Sequence, residues 1–434
     1  MSDAVYQSLG FTAKHDPYSG EAVYYTTHAT GMRIAVCPMP AYRSAYAVFG
    51  TRFGSIDSCF ATGDGEWVHM PDGVAHYLEH KLFEAEERGA FERFAETGAN
   101  ANAFTTYDKT CYLFSCAADN FEPSLEILLD FVQSPYFTPD NVEKERGIIA
   151  QELKMYEDSP YSRVYRGLMR AMYPEHPIHT DIGGTVDSIA DITAEMLYQC
   201  YHAFYSPYHM VLAVAGNVDP ERVLEICDRV LQPRENPPLR RYYPDDVGPV
   251  TTHLVEQAFD VPTPLFELGF KERYRKLTER ELVLTDIILD AVFGVMSDFY
   301  LRMVDKGLLV RGLSSDYAYL DGVQAVVLGG QSPDPEGLRD EIFAEITRVK
   351  AEGISPELFE CARRRYYSVI IESMGIPDEI GDFLANDLLF DNDSFEDMQA
   401  TATVTVEEGN ARFHEQFDVE NSTLSVVRKQ KESD

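Results

Sequence analysis

Basic residues are scarce in this chain: 37 lysines and arginines stand against 72 aspartates and glutamates, a formal net charge of −35. A surface of that sign has no phosphate-binding face from which counterions could be released, which excludes nucleic acid as a partner. Cysteine is sparse too. The seven, at 37, 59, 111, 116, 200, 227 and 361, form no CxxC pair and no disulfide framework for 434 residues, so they read as reduced and mostly core. No uncharged apolar run reaches the ~18 residues of a membrane span. The opening Met1-Ser2-Asp3-Ala4-Val5-Tyr6 has neither the basic nor the apolar region of a secretion signal. The expectation is a cytoplasmic protein with no membrane partner.

What is present is globular: 45% of residues are hydrophobic and 12% aromatic. The length is two to three times that of an ordinary domain, so at least two domains are expected. The acidic excess has two readings, a chamber that draws in basic peptides or simply a well-solvated surface.

One turn of sequence stands out, His76-Tyr77-Leu78-Glu79-His80. Val74, Leu78 and Leu82 form an apolar stripe that predicts a helix, with Asp72 as its N-cap. Histidines at i and i+4 then share a face about 6 Å apart, a spacing that suits two imidazoles on one zinc ion. Glu79, beside them, is placed to hold the metal's water and take its proton. The H-x-x-E-H order is the reverse of the common zinc-protease motif. Two surface histidines beside a carboxylate would look the same, and a catalytic zinc needs a third protein ligand.

Downstream, strands are expected over 32–38 and 45–53 and a helix over 91–97. The small residues of Gly98-Ala99-Asn100-Ala101-Asn102-Ala103-Phe104 then lead to a strong strand at 110–116. A strand beside the site could present an open edge that binds extended peptide backbone. An amphipathic helix follows over 121–134, and Thr138-Pro139 starts another that carries Glu145 and Glu152, seven apart on one face. Taken alone, those glutamates read as a solvated stripe. His15, His28, His69, His176, His179 and His253 are isolated or poorly spaced and read as surface or core residues.

The pattern of residues 192–216 returns at 404–427. At an offset of 212 residues Thr193 matches Thr405, Glu195 Glu407, His202 His414, Leu212 Leu424 and Val214 Val426. One α+β unit is therefore expected twice. Residues 1–232 make a first, catalytic domain, the proline- and charge-rich 233–250 an extended linker, and 251–434 a homologous domain without the histidine pair.

Together these segments resemble the insulinase/pitrilysin family of zinc metallopeptidases, in a short bacterial form with two homologous domains per chain. The resemblance rests on Gly73 to Glu84, on Asn102-Ala103-Phe104-Thr105, on Glu145 and Glu152, and on 177–216. It implies an α+β fold of two mostly antiparallel sheets packed by helices, forming one half of a clamshell. It implies one Zn2+ per chain, held by His76, His80 and Glu152, with Glu79 as general base and Glu145 supporting a ligand. Asn102, Ala103 and Phe104 would lie on the edge strand that pairs with substrate. The implied activity is endopeptidase hydrolysis of peptides in an enclosed chamber.

One departure from the family pattern concerns an arginine and a tyrosine seven residues later that complete such sites. In Tyr300-Leu301-Arg302-Met303-Val304-Asp305-Lys306-Gly307-Leu308-Leu309-Val310, Arg302 remains as the candidate for transition-state support, but Leu309 stands at the tyrosine position. A homologous subunit without zinc, in a heterodimer, would supply the missing pair; a homodimer is the other arrangement. The competing readings are a non-catalytic scaffold subunit of the same fold and a maturation peptidase dedicated to one modified peptide.

Overall fold

Met210–Gly216, apolar at nearly every position, is a strand buried from end to end, as a strand covered on both faces must be. It lies at the centre of the larger sheet. The structure is a computed structural model that describes residues 3–15, 20, 22–244 and 248–430. Residues 1–2 of the N-terminal segment and 245–247 of the expected linker lie outside the described residues.

In chain order the first ten strands are β1 (Thr12–His15), β2 (Ala22–Thr27), β3 (Arg33–Pro38), β4 (Ser44–Thr51), β5 (Cys59–Thr62), β6 (Val68–His69), β7 (Asn100–Thr105), β8 (Thr110–Ala117), β9 (Met210–Gly216) and β10 (Leu239–Arg241). Seven of them form one sheet in the order β1-β2-β3-β9-β4-β8-β7. All its pairings are antiparallel except β3 with β9. A small sheet orders β10-β5-β6, so part of the stretch read as a linker is itself a strand, paired with β5.

The remaining strands are β11 (Leu254–Ala258), β12 (Leu265–Lys271), β13 (Arg311–Leu320), β14 (Val323–Gln331) and β15 (Ser422–Arg428), in the order β11-β15-β12-β14-β13. Strand for strand this repeats β3-β9-β4-β8-β7, down to the single parallel pair, β11 with β15. The repeat read from the sequence is therefore physical. Helices Ala194–Phe204 and Val406–Gln416 precede β9 and β15, and the hydroxyls of Thr193 and Thr405 cap them by accepting the N–H of Met196 and Glu408.

Packing partitions the chain differently from the repeat. One unit comprises Met1–Leu153, Asp181–Tyr242 and Ile370–Phe395; the other comprises Lys154–Thr180, Tyr243–Val369 and Glu396–Asp434. Each sheet is thus covered by a helix from the other half of the sequence. Helix Pro160–Met172 lies on β11, β12 and β15, and helix Pro377–Phe390 on β3, β4 and β9. Gly381 allows the second approach, because a Cβ there would stand 2.4 Å from the Tyr46 ring, and the Tyr46 hydroxyl donates to Asp382 at 2.8 Å.

Candidate metal centre

The histidine helix runs from Val74 to Leu82 and buries Val74, Ala75, Tyr77, Leu78 and Leu82 against the core of the first unit. His76, Glu79 and His80 are left half-buried on the other side. The helix does not start from an Asp72 cap as expected. Its N-cap is Gly73, at φ 89°, with no side-chain cap. A Cβ on Gly73 would lie 2.3 Å from the carbonyl oxygen of Gly183, so a second loop closes on the helix start and leaves no room for an ordinary cap residue. Asp72 contributes its carbonyl instead, accepting from Ser188 Oγ at 2.9 Å.

The second glutamate-bearing helix, Pro139–Glu157, buries Val142, Glu145, Ile149 and Leu153 on one face. Thr138 caps it, its hydroxyl accepting the Asn141 N–H at 3.2 Å. The Tyr77 hydroxyl donates to the carbonyl of Val142 at 2.5 Å and ties the two helices together.

This brings the separated residues into one place. Glu152 Oε1 lies 3.8 Å from His76 Nε2, and Glu152 Oε2 lies 3.5 Å from His80 Nε2. Among the described residues, His76, His80 and Glu152 form the one group of three such side chains whose ligand atoms fall within 4.8 Å of one another. A tetrahedral ion with bonds of about 2.0–2.1 Å sets its donor atoms roughly 3.3 Å apart, so the two carboxylate–imidazole separations need only a slight contraction to suit zinc. Two imidazoles and one carboxylate also leave a fourth position for water.

The surroundings prepare the ligands. Glu145 Oε1 is 3.0 Å from His80 Nδ1, which directs the Nε2 of that ring to Glu152. The bond from His80, opposed by burial, holds the Glu145 carboxyl below its usual range. Burial works to lower His80, but the bond to Glu145 and the charges of Glu79, Glu145 and Glu152 leave it raised. His76 is the opposite: burial first, and then the neighbouring His80, lower it to about 4, so its ring is neutral near pH 7. Its Nδ1 is buried with no hydrogen-bond partner among the described residues. Burial also raises the Glu79 carboxyl, against the lowering effect of a hydrogen bond from Thr105 Oγ1 to its Oε2 at 2.7 Å.

Asn102, Ala103 and Phe104 lie on β7, which is the edge of the seven-stranded sheet. Thr106 N–H donates to the carbonyl of Lys109, which makes that pair a hydrogen-bonded one. Counting back along the register with β8, Asn102 and Phe104 also face β8, while Ala101, Ala103 and Thr105 turn their backbone groups outward. The outward N–H of Ala103 is taken by the Asn102 side-chain oxygen at 2.9 Å.

Arg302 belongs to the second unit, on helix Asp298–Asp305, where its guanidinium is 2.5 Å from Glu345. Leu309 is a core residue of that unit, clustered with Phe299, Met303 and Leu313. The sequence reading assigned no role to Thr105, Lys81 or Glu84. Lys81 is fully buried, and its ammonium reaches Glu84 at 2.6 Å and the carbonyl of Asn141 at 3.2 Å. A lysine in the last turn of a helix ordinarily signals a solvated end, so nothing in the pattern pointed to it.

Residues 68–186 match the family Insulinase (Peptidase family M16), and residues 191–366 match the Peptidase M16 inactive domain. The chain is 36% identical over 422 residues to YmfH of Bacillus subtilis, described as an uncharacterized zinc protease, covering 94% of this chain and 96% of that one. A crystal structure of an M16-like peptidase from Alicyclobacillus acidocaldarius superposes with a TM-score of 0.90 at 35% identity, covering 97% and 99% of the two chains. A protease from Helicobacter pylori shares the fold, with a TM-score of 0.81 at 20% identity over 93% of this chain and 99% of that one. This chain belongs to the insulinase family of peptidases, M16.

Proposed function

We propose that the chain is a zinc-dependent endopeptidase that cleaves extended, unfolded peptides. The observation that carries this reading is the convergence of His76, His80 and Glu152 on one point, with a half-buried Glu79 on the same helix. A bound zinc would polarise the scissile carbonyl and acidify the attacking water. The remaining work belongs to the chain. A peptide added to β7 would pair with the outward backbone groups of Ala101, Ala103 and Thr105, which fixes the scissile bond without reading its sequence. For this to happen Asn102 must release the N–H of Ala103. Glu79 would take the water's proton and pass it to the leaving nitrogen, a transfer that contributes about 10²–10⁴-fold.

In this reading the cleavage takes place in an enclosed chamber in the cytoplasm, completed by a homologous second subunit. Leu309 is core and cannot donate a hydrogen bond, and Arg302 is engaged by Glu345, so groups to stabilise the oxyanion are better supplied from elsewhere. A scaffold role is disfavoured, since a scaffold has no use for a half-buried carboxylate beside three convergent ligand side chains.

The test is zinc analysis and peptide hydrolysis by the wild type and E79Q, each with and without any subunit that co-purifies. One zinc in both, with cleavage lost only in E79Q, is the expected result. A protein that holds no stoichiometric zinc would end the proposal.

A further inference from the structure

The hydroxyl of Thr105 lies at the end of the edge strand and 2.7 Å from Glu79 Oε2. Its direction is fixed by its neighbour. Thr110 Oγ1 is 3.3 Å from Thr105 Oγ1, but Thr110 is fully buried and gives its own proton to the carbonyl of Phe53 at 2.7 Å. Thr110 can then only accept, at 3.3 Å, while the acceptor-only carboxylate of Glu79 stands nearer at 2.7 Å, so the single proton of Thr105 goes to Glu79. The other carboxylate oxygen, Oε1, has no hydrogen-bond partner among the described residues. We propose that Thr105 is a positioning residue for Glu79, holding Oε2 so that Oε1 is the oxygen that meets the attacking water.

The inference rests on the zinc-peptidase reading and adds a specific link to it. Thr105 belongs to the strand that would receive the peptide, and its side chain points to the face on which the histidine helix lies. Ala103 and Ala101, two and four positions earlier on the same face, pack against the core of the first unit. The strand that aligns the substrate and the carboxylate that accepts the proton are thus joined by one hydrogen bond. A substrate seated on β7 is held in register with its base. Without the hydroxyl, a glutamate side chain with three rotatable bonds loses the contact that selects one orientation. Substrate pairing uses the backbone of β7 and is unaffected, so the loss falls on turnover and not on binding.

The experiment compares T105V, T105S and E79Q in the zinc-loaded protein, in whatever assembly it purifies, with a quenched fluorogenic peptide as substrate. T105V should lose about 10- to 100-fold in kcat, with KM unchanged within about twofold and the zinc content of the wild type. T105S, which keeps the hydroxyl, should restore most of kcat. A crystal structure of metal-free T105V should show the Glu79 carboxylate displaced from its wild-type position. Wild-type kcat in T105V alongside an inactive E79Q would overturn the inference while leaving the peptidase reading standing. T105S as slow as T105V, or zinc or the folded state lost in T105V, would make the residue a structural one and overturn it as well. An E79Q variant with full activity would instead overturn the reading on which the inference rests.

Discussion

Glu145 holds one histidine of the candidate metal pair, and only one: its Oε1 is 3.0 Å from His80 Nδ1, while Nδ1 of His76 is buried without a partner among the described residues. The two imidazoles are therefore not equivalent. His80 is oriented by a carboxylate that also increases its basicity, whereas His76 is held by packing. Replacing Glu145 with glutamine keeps its size and removes the charge. The expected effect is about a 10- to 100-fold loss of zinc affinity, with the fold intact, measured by competition with a chelator. Undiminished affinity in E145Q would mean that packing alone sets the His80 ring.

Lys81 is the reason the histidine helix can carry charge on its buried side. Its ammonium is fully enclosed and joins Glu84 to the start of the helix that bears Glu145. K81M preserves the length of the chain and removes both contacts. Glu84 keeps partial access to solvent, so the loss is smaller than for a sealed ion pair. An unfolding free energy lower by about 1–3 kcal/mol is expected in urea titration of the metal-free protein. A change near zero would show that the charge is dispensable.

The part of the candidate site that is local was legible in the sequence. His76 and His80 share a helix face by spacing alone, and Glu145 and Glu152 repeat that logic seven residues apart. Their meeting was not readable from spacing; it came from resemblance, and the structure supplies the 3.5 and 3.8 Å distances. The repeated unit was legible too, since 193 and 405 mark equivalent helix–strand pairs, but the order of the strands in each sheet was not. What the sequence could not reveal was the exchange of helices. An amphipathic pattern at 160–172 or 377–390 says that one face is buried and is silent about which sheet buries it. The Gly73 cap was missed for a similar reason, because the loop at Gly183 that excludes an ordinary cap lies more than a hundred residues away.

Leu309 can be tested directly as the position where a tyrosine would be expected. Its side chain is packed among Phe299, Met303 and Leu313. L309Y would therefore force a larger ring and a hydroxyl into a filled core, at a cost of about 1–3 kcal/mol, and would not create a donor for the oxyanion. The expected outcome is lower stability with no gain in peptide hydrolysis. Higher kcat in L309Y would show that the ring finds its way to substrate and that the chain can complete its own site.

Glu267 should leave a mark on the pH dependence of stability. It sits on β12 opposite Gly329 of β14, with one carboxylate oxygen buried and without a hydrogen-bond partner among the described residues. Burial, reinforced by the charge of Asp316, raises its carboxyl from 4.5 to about 8. A raised acid binds its proton more tightly in the folded state than in the unfolded one, so between those two values folding is opposed increasingly as pH rises. The penalty is absent below about 4.5 and fully present above about 8. Asp286, raised to about 6 by burial, adds a slope of the same sign, so the wild-type profile alone does not isolate Glu267. The difference between wild type and E267Q does. Unfolding measured across that range should show the variant gaining on the wild type as pH increases, and parallel profiles would show that Glu267 ionises in the folded protein as readily as it does in water.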